Sequence, residues 1–492
     1  MTKTDANSNR GPADLAEATW WDGPAGGRDV LRLALPLVVS SLSWTVLTFV
    51  DRMFLAWWSH DALAASFPAA LLWWTSLCFP MGIAIYVGTF VSQYHGSNSH
   101  VWIGPIVWQG VWICLFATPI VFASLPIAAI VFDASGHEPA VIANEWAYFR
   151  ILCIGSPAML VAHAFSSFFS GRGRTSIVMV IDSGMTLVNV ALDYCWIFGY
   201  CRFPAAGIEG AAWATIVSLW LRVLVYLVLI LHPSNRGMFH THEWRPQRRL
   251  MGRLAYYGGP SGLQMFLEVV GFTAFVMLVG SLGVIELAAT NLAFNVSSVA
   301  FMPVFGLSTA VSILVGQYVG SGRIELAERS TWTTVRLALI YMGVISALYC
   351  LVPDLFLFGF FTRSNDPSER TIRAIAVVLL RYVAAYNLFD GMNLVFAHAV
   401  KGAGDTHFVF WVSFTMAAVL ALATWIAVRV LEWGLHGSWC LVTAWIAALG
   451  CVYWARFHHG AWRTMRVIEA TPRPSDASVP PTDEAKPQSS PR

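Results

Sequence analysis

The chain contains itself twice. A shift of 224 residues lays Pro36 on Pro260, Leu63-Ala64-Ala65 on Leu287-Ala288-Ala289, and Gly82 on Gly306. The same shift lays Gln93-Tyr94 on Gln317-Tyr318 and Gly96-Ser97 on Gly320-Ser321. After seven extra residues near Thr362 to Pro367 the shift becomes 231. It then pairs Arg150 with Arg381 and Gly171-x-Gly173-x-Thr175 with Gly402-x-Gly404-x-Thr406. A period of about 230 residues is far too long for a solenoid unit. It marks a duplicated half-protein, the plan by which membrane transporters move one half against the other around a shared cavity.

The residue content fits a lipid environment. The chain is 57% hydrophobic and 12% charged, where soluble domains carry about 25% charged residues. Its 23 Trp and 31 Phe suit a surface that meets membrane and interface. Apolar stretches long enough to span a bilayer fall near 31–55, 62–92, 103–130, 141–168, 176–199 and 208–232. A second set falls near 253–281, 287–318, 332–353, 371–399, 407–430 and 435–456. The expected fold is an all-α integral membrane protein, with twelve transmembrane helices in two pseudo-twofold related six-helix bundles. An even number of crossings per repeat makes both halves enter the membrane the same way round, so the axis relating them runs along the membrane normal.

Basic residues set the expected orientation. The side of the termini carries Arg28, Arg32, Arg172, Arg174, Arg236, Arg245, Arg248, Arg249, Arg253, Arg323, Arg329, Lys401, Arg456, Arg463 and Arg466. The opposite side carries Arg202, Arg363, Arg370, Arg373 and Arg429. Both termini are therefore expected in the cytoplasm. The division expected is a tail at 1–28, a first lobe at 29–233, a linker at 234–251, a second lobe at 252–458 and a disordered tail at 459–492. The polar first thirty residues lack the short apolar core of a cleavable signal peptide. A net charge of +2 gives no reason to expect a nucleic-acid partner. The eight cysteines lack metal-ligand spacing and read as apolar fillers, with a Cys195–Cys201 bridge as the alternative. No nucleophile–base set or phosphate loop points to hydrolysis or ATP-driven work.

Carboxylates within membrane helices cost about 2.5–3.5 kcal/mol each and are functional candidates by default. Asp51, Asp182, Asp193, Glu268 and Asp390 qualify. Under the repeat, Asp51 corresponds to Phe275, Asp193 to Thr424, Glu268 to Trp44 and Asp390 to Met159. A scaffold requirement would be shared by both copies, so acids found in one copy only point to function. Asn189 and Asp193 lie four apart on the fifth helix, and Asp182 lies seven before Asn189, which puts all three on one face. Asp51, near the outer end of helix one, has a depth similar to Asp193. Glu268 on helix seven and Asp390 on helix ten form a second group near mid-membrane, with Tyr386 and Asn393 on the Asp390 face. Oxygen clusters of this kind suit Na⁺, and a desolvated carboxylate also suits a proton. The competing reading ties the acids to Arg52, Arg150, Arg222 or Arg381 as internal ion pairs.

Asn291, Asn295 and Ser298 share a face of helix eight. With Gln264, Asn387 and Asn393 they supply polar groups for a substrate cavity, although helix–helix hydrogen bonding fits the same pattern. Gln93 and Gln317 occur in both copies and read as packing or gating elements. The Gly171-x-Gly173 and Gly402-x-Gly404 pairs read as turns. Glu145, Glu209 and Glu286 lie at helix ends and are expected in water, and no role is expected for His163 or His398.

These motifs together resemble the multidrug and toxic compound extrusion (MATE) family over about Leu31 to Arg456. The resemblance rests on Pro36 followed by Val50-Asp51, Val91-Ser92-Gln93 with Gly96, and Gly171-Arg172-Gly173-Arg174-Thr175. It continues through Asn189-x-x-x-Asp193-Tyr194, Gly210-Ala211-Ala212-Trp213-Ala214-Thr215 and Gly402-Ala403-Gly404-Asp405-Thr406. Glu268 with Asn295-x-Ser297-Ser298, Phe301-Met302-Pro303 and Tyr386-x-x-x-Asp390 is similar to its NorM-like bacterial branch. The resemblance implies two lobes around a cavity open alternately inward and outward. It also implies export of amphipathic, often cationic, organic compounds by antiport with H⁺ or Na⁺, with no cofactor, in a monomer of the bacterial inner membrane. Glu268, Tyr386 and Asp390 would form the second-lobe cation site, with Na⁺ as one occupant. Asp51, Asn189, Asp193 and Thr215 would form the first-lobe ion site. Arg52 after Asp51, and the extra acid Asp182, depart from that pattern. A lipid-linked saccharide or lipid flippase of the same superfamily is the alternative, and a membrane receptor that transports nothing is a more distant one.

Overall fold

Among the described residues every regular element is a helix, as apolar surroundings demand of a chain that must satisfy its own backbone. A computed structural model describes residues 20–200, 203–358 and 367–469. Among the described residues twelve helices are long and apolar enough to cross a membrane. In the first half they are α1 (Gly27–Trp58), α2 (His60–Gly96), α3 (Ile103–Phe122), α4 (Pro139–Ser170), α5 (Thr175–Phe198) and α6 (Gly207–Ile230). The second half has α7 (Arg248–Gly280), α8 (Val284–Gly320), α9 (Ile324–Leu351), α10 (Pro367–Ala403), α11 (Thr406–Arg429) and α12 (Gly434–His459). Only Ser59 separates α1 from α2, and its Oγ caps α2 by accepting from the Ala62 N–H at 3.1 Å. Repeat-related prolines, Pro36 and Pro260, lie inside α1 and α7.

The first half has one continuous apolar core. The second has two, one at each end of its bundle. The halves meet through α1, α2, α7 and α8. Their closest approaches lie toward the side of the termini: Gly82 against Gly262, Gly306 against Val38, and Gly316 against Ser92. A Cβ on Gly96 would overlap the Gln317 carbonyl, and one on Gly320 the Gln93 carbonyl. Two glutamines at repeat-equivalent positions lock this end. Gln93 Nε2 donates to the Gly402 and Ala403 carbonyls at 3.0 and 3.1 Å. Gln317 Nε2 donates to the Gly171 carbonyl at 2.8 Å. Each reaches the carboxyl end of a helix in the other half, where carbonyls lack helical partners.

Eleven residues are three helical turns, so positions eleven apart share a face. Along the faces that meet at Gly82, Val38 and Gly306, the residues three turns toward the far side are Leu71, Phe49 and Asn295. Leu71 and Phe49 are 36% and 67% exposed, and Asn295 is exposed as well. The contact faces are thus covered at the terminal side and bare at the other. A cleft opens between the halves on the far side.

Two expectations change. The tail expected to be disordered from 459 is packed through Glu469: Trp462 and Val467 are fully buried, and Val467 and Ile468 join the core of the first half. The expected linker contains a short helix, Pro233–Phe239, and α7 begins at Arg248. Cys201, Arg202, Arg363, the insertion near Thr362 to Pro367 except for the α10 start, and the residues after 469 lie outside the described residues.

Candidate functional site

Asp51 and Asp193 come together inside the first half. Asp51 is 7% exposed and Asp193 is fully buried, and the two carboxylates lie within electrostatic reach of each other. The Tyr148 hydroxyl on α4 donates to Asp51 Oδ2 at 3.1 Å. Asn189, one turn before Asp193, satisfies both neighbours when its amide nitrogen faces the acid. Nδ2 then donates to Asp193 Oδ2 at 2.8 Å, and Oδ1 accepts from the Thr215 N–H at 3.3 Å. Thr215 therefore enters through its backbone. Oδ1 of Asp51 and Oδ1 of Asp193 are both buried without a hydrogen-bond partner. Buried acceptors in that condition are costly unless a cation or proton completes them.

Arg52 does not close this site. It is exposed, and its guanidinium lies over the Phe67 ring, 4.9 Å from the centroid. Arg150 and Arg381 are exposed too. The internal ion-pair reading holds for Asp182 alone. Its Oδ1 pairs with Arg222 Nη2 at 2.7 Å and accepts from the Tyr226 hydroxyl at 3.2 Å, while Ser40 Oγ donates to Oδ2. Asp182 shares a helix with Asp193, yet it belongs to a separate, neutralised cluster joining α1, α5 and α6.

The second-half group is open where the first is enclosed. Glu268 is exposed and Asp390 half-buried. Gln264 Nε2 donates to Glu268 Oε1 at 2.8 Å, and Asn393 Nδ2 donates to Asp390 Oδ1 at 3.3 Å. The two acids are within electrostatic reach of each other. Tyr386 is buried, with Ser297 of α8 beside its hydroxyl. Asn291 and Asn295 are exposed on α8, with Asn295 donating to the Asn291 carbonyl at 2.8 Å. Asn387 departs from the expected cavity lining. It is buried, and its Nδ2 reaches Ser346 Oγ of α9 at 3.3 Å. Glu145, expected in water, is fully buried and paired with His137 at 2.9 Å. Tyr148 was not legible beforehand: an isolated tyrosine in an apolar helix carries no sign of which acid it will meet. Among the described residues no three His, Cys, Asp or Glu side chains converge as a metal-ligand set.

A duplicated twelve-helix bundle with a cleft between its halves and carboxylates in both is the plan of a multi-pass membrane transporter. The MatE family model matches residues 36–195 and 260–425, and the chain belongs to that family. The chain is 28% identical over 459 residues to "Probable multidrug resistance protein NorM" of Pseudomonas putida, covering 92% of this chain and 97% of that protein. It is also 28% identical over 439 residues to a protein of the same description from Burkholderia mallei, covering 87% and 92%. The fold matches a structure described as "Outward-facing conformation of a multidrug resistance MATE family transporter of the MOP superfamily" with a TM-score of 0.80, 16% identity and coverage of 89% and 97%. It matches a second, a MOP superfamily transporter from Pyrococcus furiosus described as having a binding pocket of reverse polarity, with a TM-score of 0.79, 17% identity and coverage of 91% and 100%.

Proposed function

We propose that this protein is a secondary active exporter of amphipathic, often cationic, organic compounds, driven by antiport with H⁺ or Na⁺ through rocking of its two halves. The two relatives named as probable multidrug resistance proteins support export of drugs of more than one kind. The observation that carries the coupling is the juxtaposition of two buried carboxylates, Asp51 and Asp193, within electrostatic reach of each other and neither in an ion pair with an arginine among the described residues. A proton or small cation relieves the repulsion of such an arrangement. The open group at Glu268 and Asp390 faces the cleft and suits a larger cation. Occupation of the enclosed site would favour one arrangement of the halves and so change affinity in the other. The basic residues assign the termini, and hence the closed end, to the cytoplasm.

One charge crossing 100 mV supplies about 2.3 kcal/mol, enough for roughly a fifty-fold gradient of a neutral substrate, whereas one-for-one exchange with a monovalent organic cation cancels the potential and leaves the ion's own concentration gradient as the drive. The test is dye transport in proteoliposomes under an imposed pH gradient or an imposed Na⁺ gradient, applied separately. Uphill transport with one of them is expected, and its loss in Asp51→Asn and Asp193→Asn. Uphill pumping by both variants at the native rate would overturn the assignment. The carboxylates and amides along the cleft favour cationic cargo over the lipid-linked phosphate of a flippase.

A further inference from the structure

Lys401 belongs to neither the acid groups nor the glutamine lock. It lies eleven residues after Asp390 on α10, three turns along the same face. Side chains on a helix slant toward its N-terminus, and α10 ends at the terminal side. The half-buried Lys401 therefore reaches back toward the floor of the cleft. The Tyr86 hydroxyl donates to the Lys401 carbonyl at 3.1 Å, and Tyr86 lies ten residues before the end of α2. That fixes Lys401 inside the bundle. Its electrostatic neighbours are His398 and Glu268, and Glu268 also reaches Asp390 on the same helix. The repeat partner of Lys401 is Ser170, so this charge too exists in one copy only.

We propose that Lys401 is the fixed counter-charge of the second-half site, reducing two negative charges to one and setting a preference for singly over doubly charged organic cations. This rests on the reading that Glu268 and Asp390 receive substrate. A unit charge acts twice as strongly on a dication as on a monocation. At about 10 Å and an effective dielectric near 20, its removal changes their relative affinity by about tenfold or more. The experiment measures binding of the compact monocation 1-methyl-4-phenylpyridinium and of the compact dication methyl viologen to the purified full chain. Lys401→Met and Lys401→Gln are expected to shift the affinity ratio at least about tenfold toward the dication. Lys401→Arg should keep the native ratio, and Lys401→Met with Glu268→Gln should restore it. An unchanged ratio in both neutral variants, with native elution profiles, overturns the proposal. If Glu268→Gln binds both compounds as the native protein does, the reading of the second-half site fails first. If Glu268→Gln weakens binding while the neutral Lys401 variants keep the ratio, only the role of Lys401 fails.

A second, independent observation concerns the chain after α12. Val467 N donates to Gln93 Oε1 at 2.9 Å, so the residue that locks the halves is itself held by a segment leaving the second half. Arg253 donates to the Val467 carbonyl, and Glu469 pairs with Arg249 and Arg253 at 2.8 and 3.0 Å. The MatE match ends at 425, well before this segment. We infer that Met465–Glu469 is a strap that holds the terminal side closed. Amide hydrogen exchange in α8 near Ser312–Gly320 reads it. Truncation after Thr464, or Val467→Pro, which removes the donor, should raise exchange there several-fold while leaving α6 unchanged. Native exchange in both variants overturns the inference.

Discussion

The two halves descend from one pattern, yet they hold their acids in opposite ways. In the first, Asp51 and Asp193 are sealed among α1, α4, α5 and α6, and each keeps one oxygen without a partner. In the second, Glu268 is exposed and Asp390 half-buried, on the sides of helices that meet the cleft. Enclosure selects for size, because only a bare ion or proton fits without bringing water. Exposure to a cleft tolerates bulk. The comparison teaches that duplication supplied a common frame, and divergence within it gave an enclosed acid pair in one half and an open one in the other; on the proposed function the first serves the driving ion and the second the cargo.

The most damaging change to this contrast is Asp193→Asn. It should cut gradient-driven transport by more than about a hundred-fold while leaving equilibrium binding of cargo within a few-fold. Glu268→Gln should instead weaken equilibrium binding of cargo, and identical binding profiles for the two would abolish the distinction. Next in size is the neutralised pair. Breaking it with Asp182→Ala strands Arg222 and should cost about 3–5 kcal/mol of stability, read as a lowered Tm in detergent.

The lock predicts a smaller asymmetry. Gln93 makes bonds to Gly402, Ala403 and Val467, whereas Gln317 bonds Gly171. Gln93→Ala should therefore open the terminal side more than Gln317→Ala, by about 1–2 kcal/mol at roughly 1 kcal/mol per bond, measured as the difference in cysteine accessibility between the two. Tyr148→Phe removes one bond to a carboxylate. It should alter the affinity of the enclosed ion by about 1.5–3 kcal/mol, seen in the ion dependence of transport. Smallest of all is Arg52→Ala, which removes a guanidinium resting on Phe67 and should cost about 0.5–1 kcal/mol of stability, read as a lowered Tm; because Arg52 is also an electrostatic neighbour of Asp51, its loss should shift the ion dependence of transport far less than Asp51→Asn does.

Much of this was readable before any coordinates. Asp51, Asp193, Glu268 and Asp390 stood out because their repeat partners are Phe275, Thr424, Trp44 and Met159, and a charge without a counterpart in a membrane helix needs a reason. Gln93 and Gln317 stood out for the opposite property, identity in both copies. Asp182 could not be separated from Asp193 in this way. Both lie on α5 with helical spacing between them, and only the approach of Arg222 from α6 shows that one is neutralised. Glu145 misled for a similar reason: its place near a helix end says nothing about burial by a neighbouring turn that carries His137.

The sequence by itself determined twelve membrane helices in two copies and the identities of the unusual charges, because apolar length and repeat offsets are properties of the chain alone. The tertiary structure decided which charges are paired, which end of the bundle is closed and where the chain after α12 goes. Those outcomes depend on contacts between residues hundreds of positions apart, Gln93 with Val467 or Ser40 with Asp182, and no local periodicity encodes such meetings.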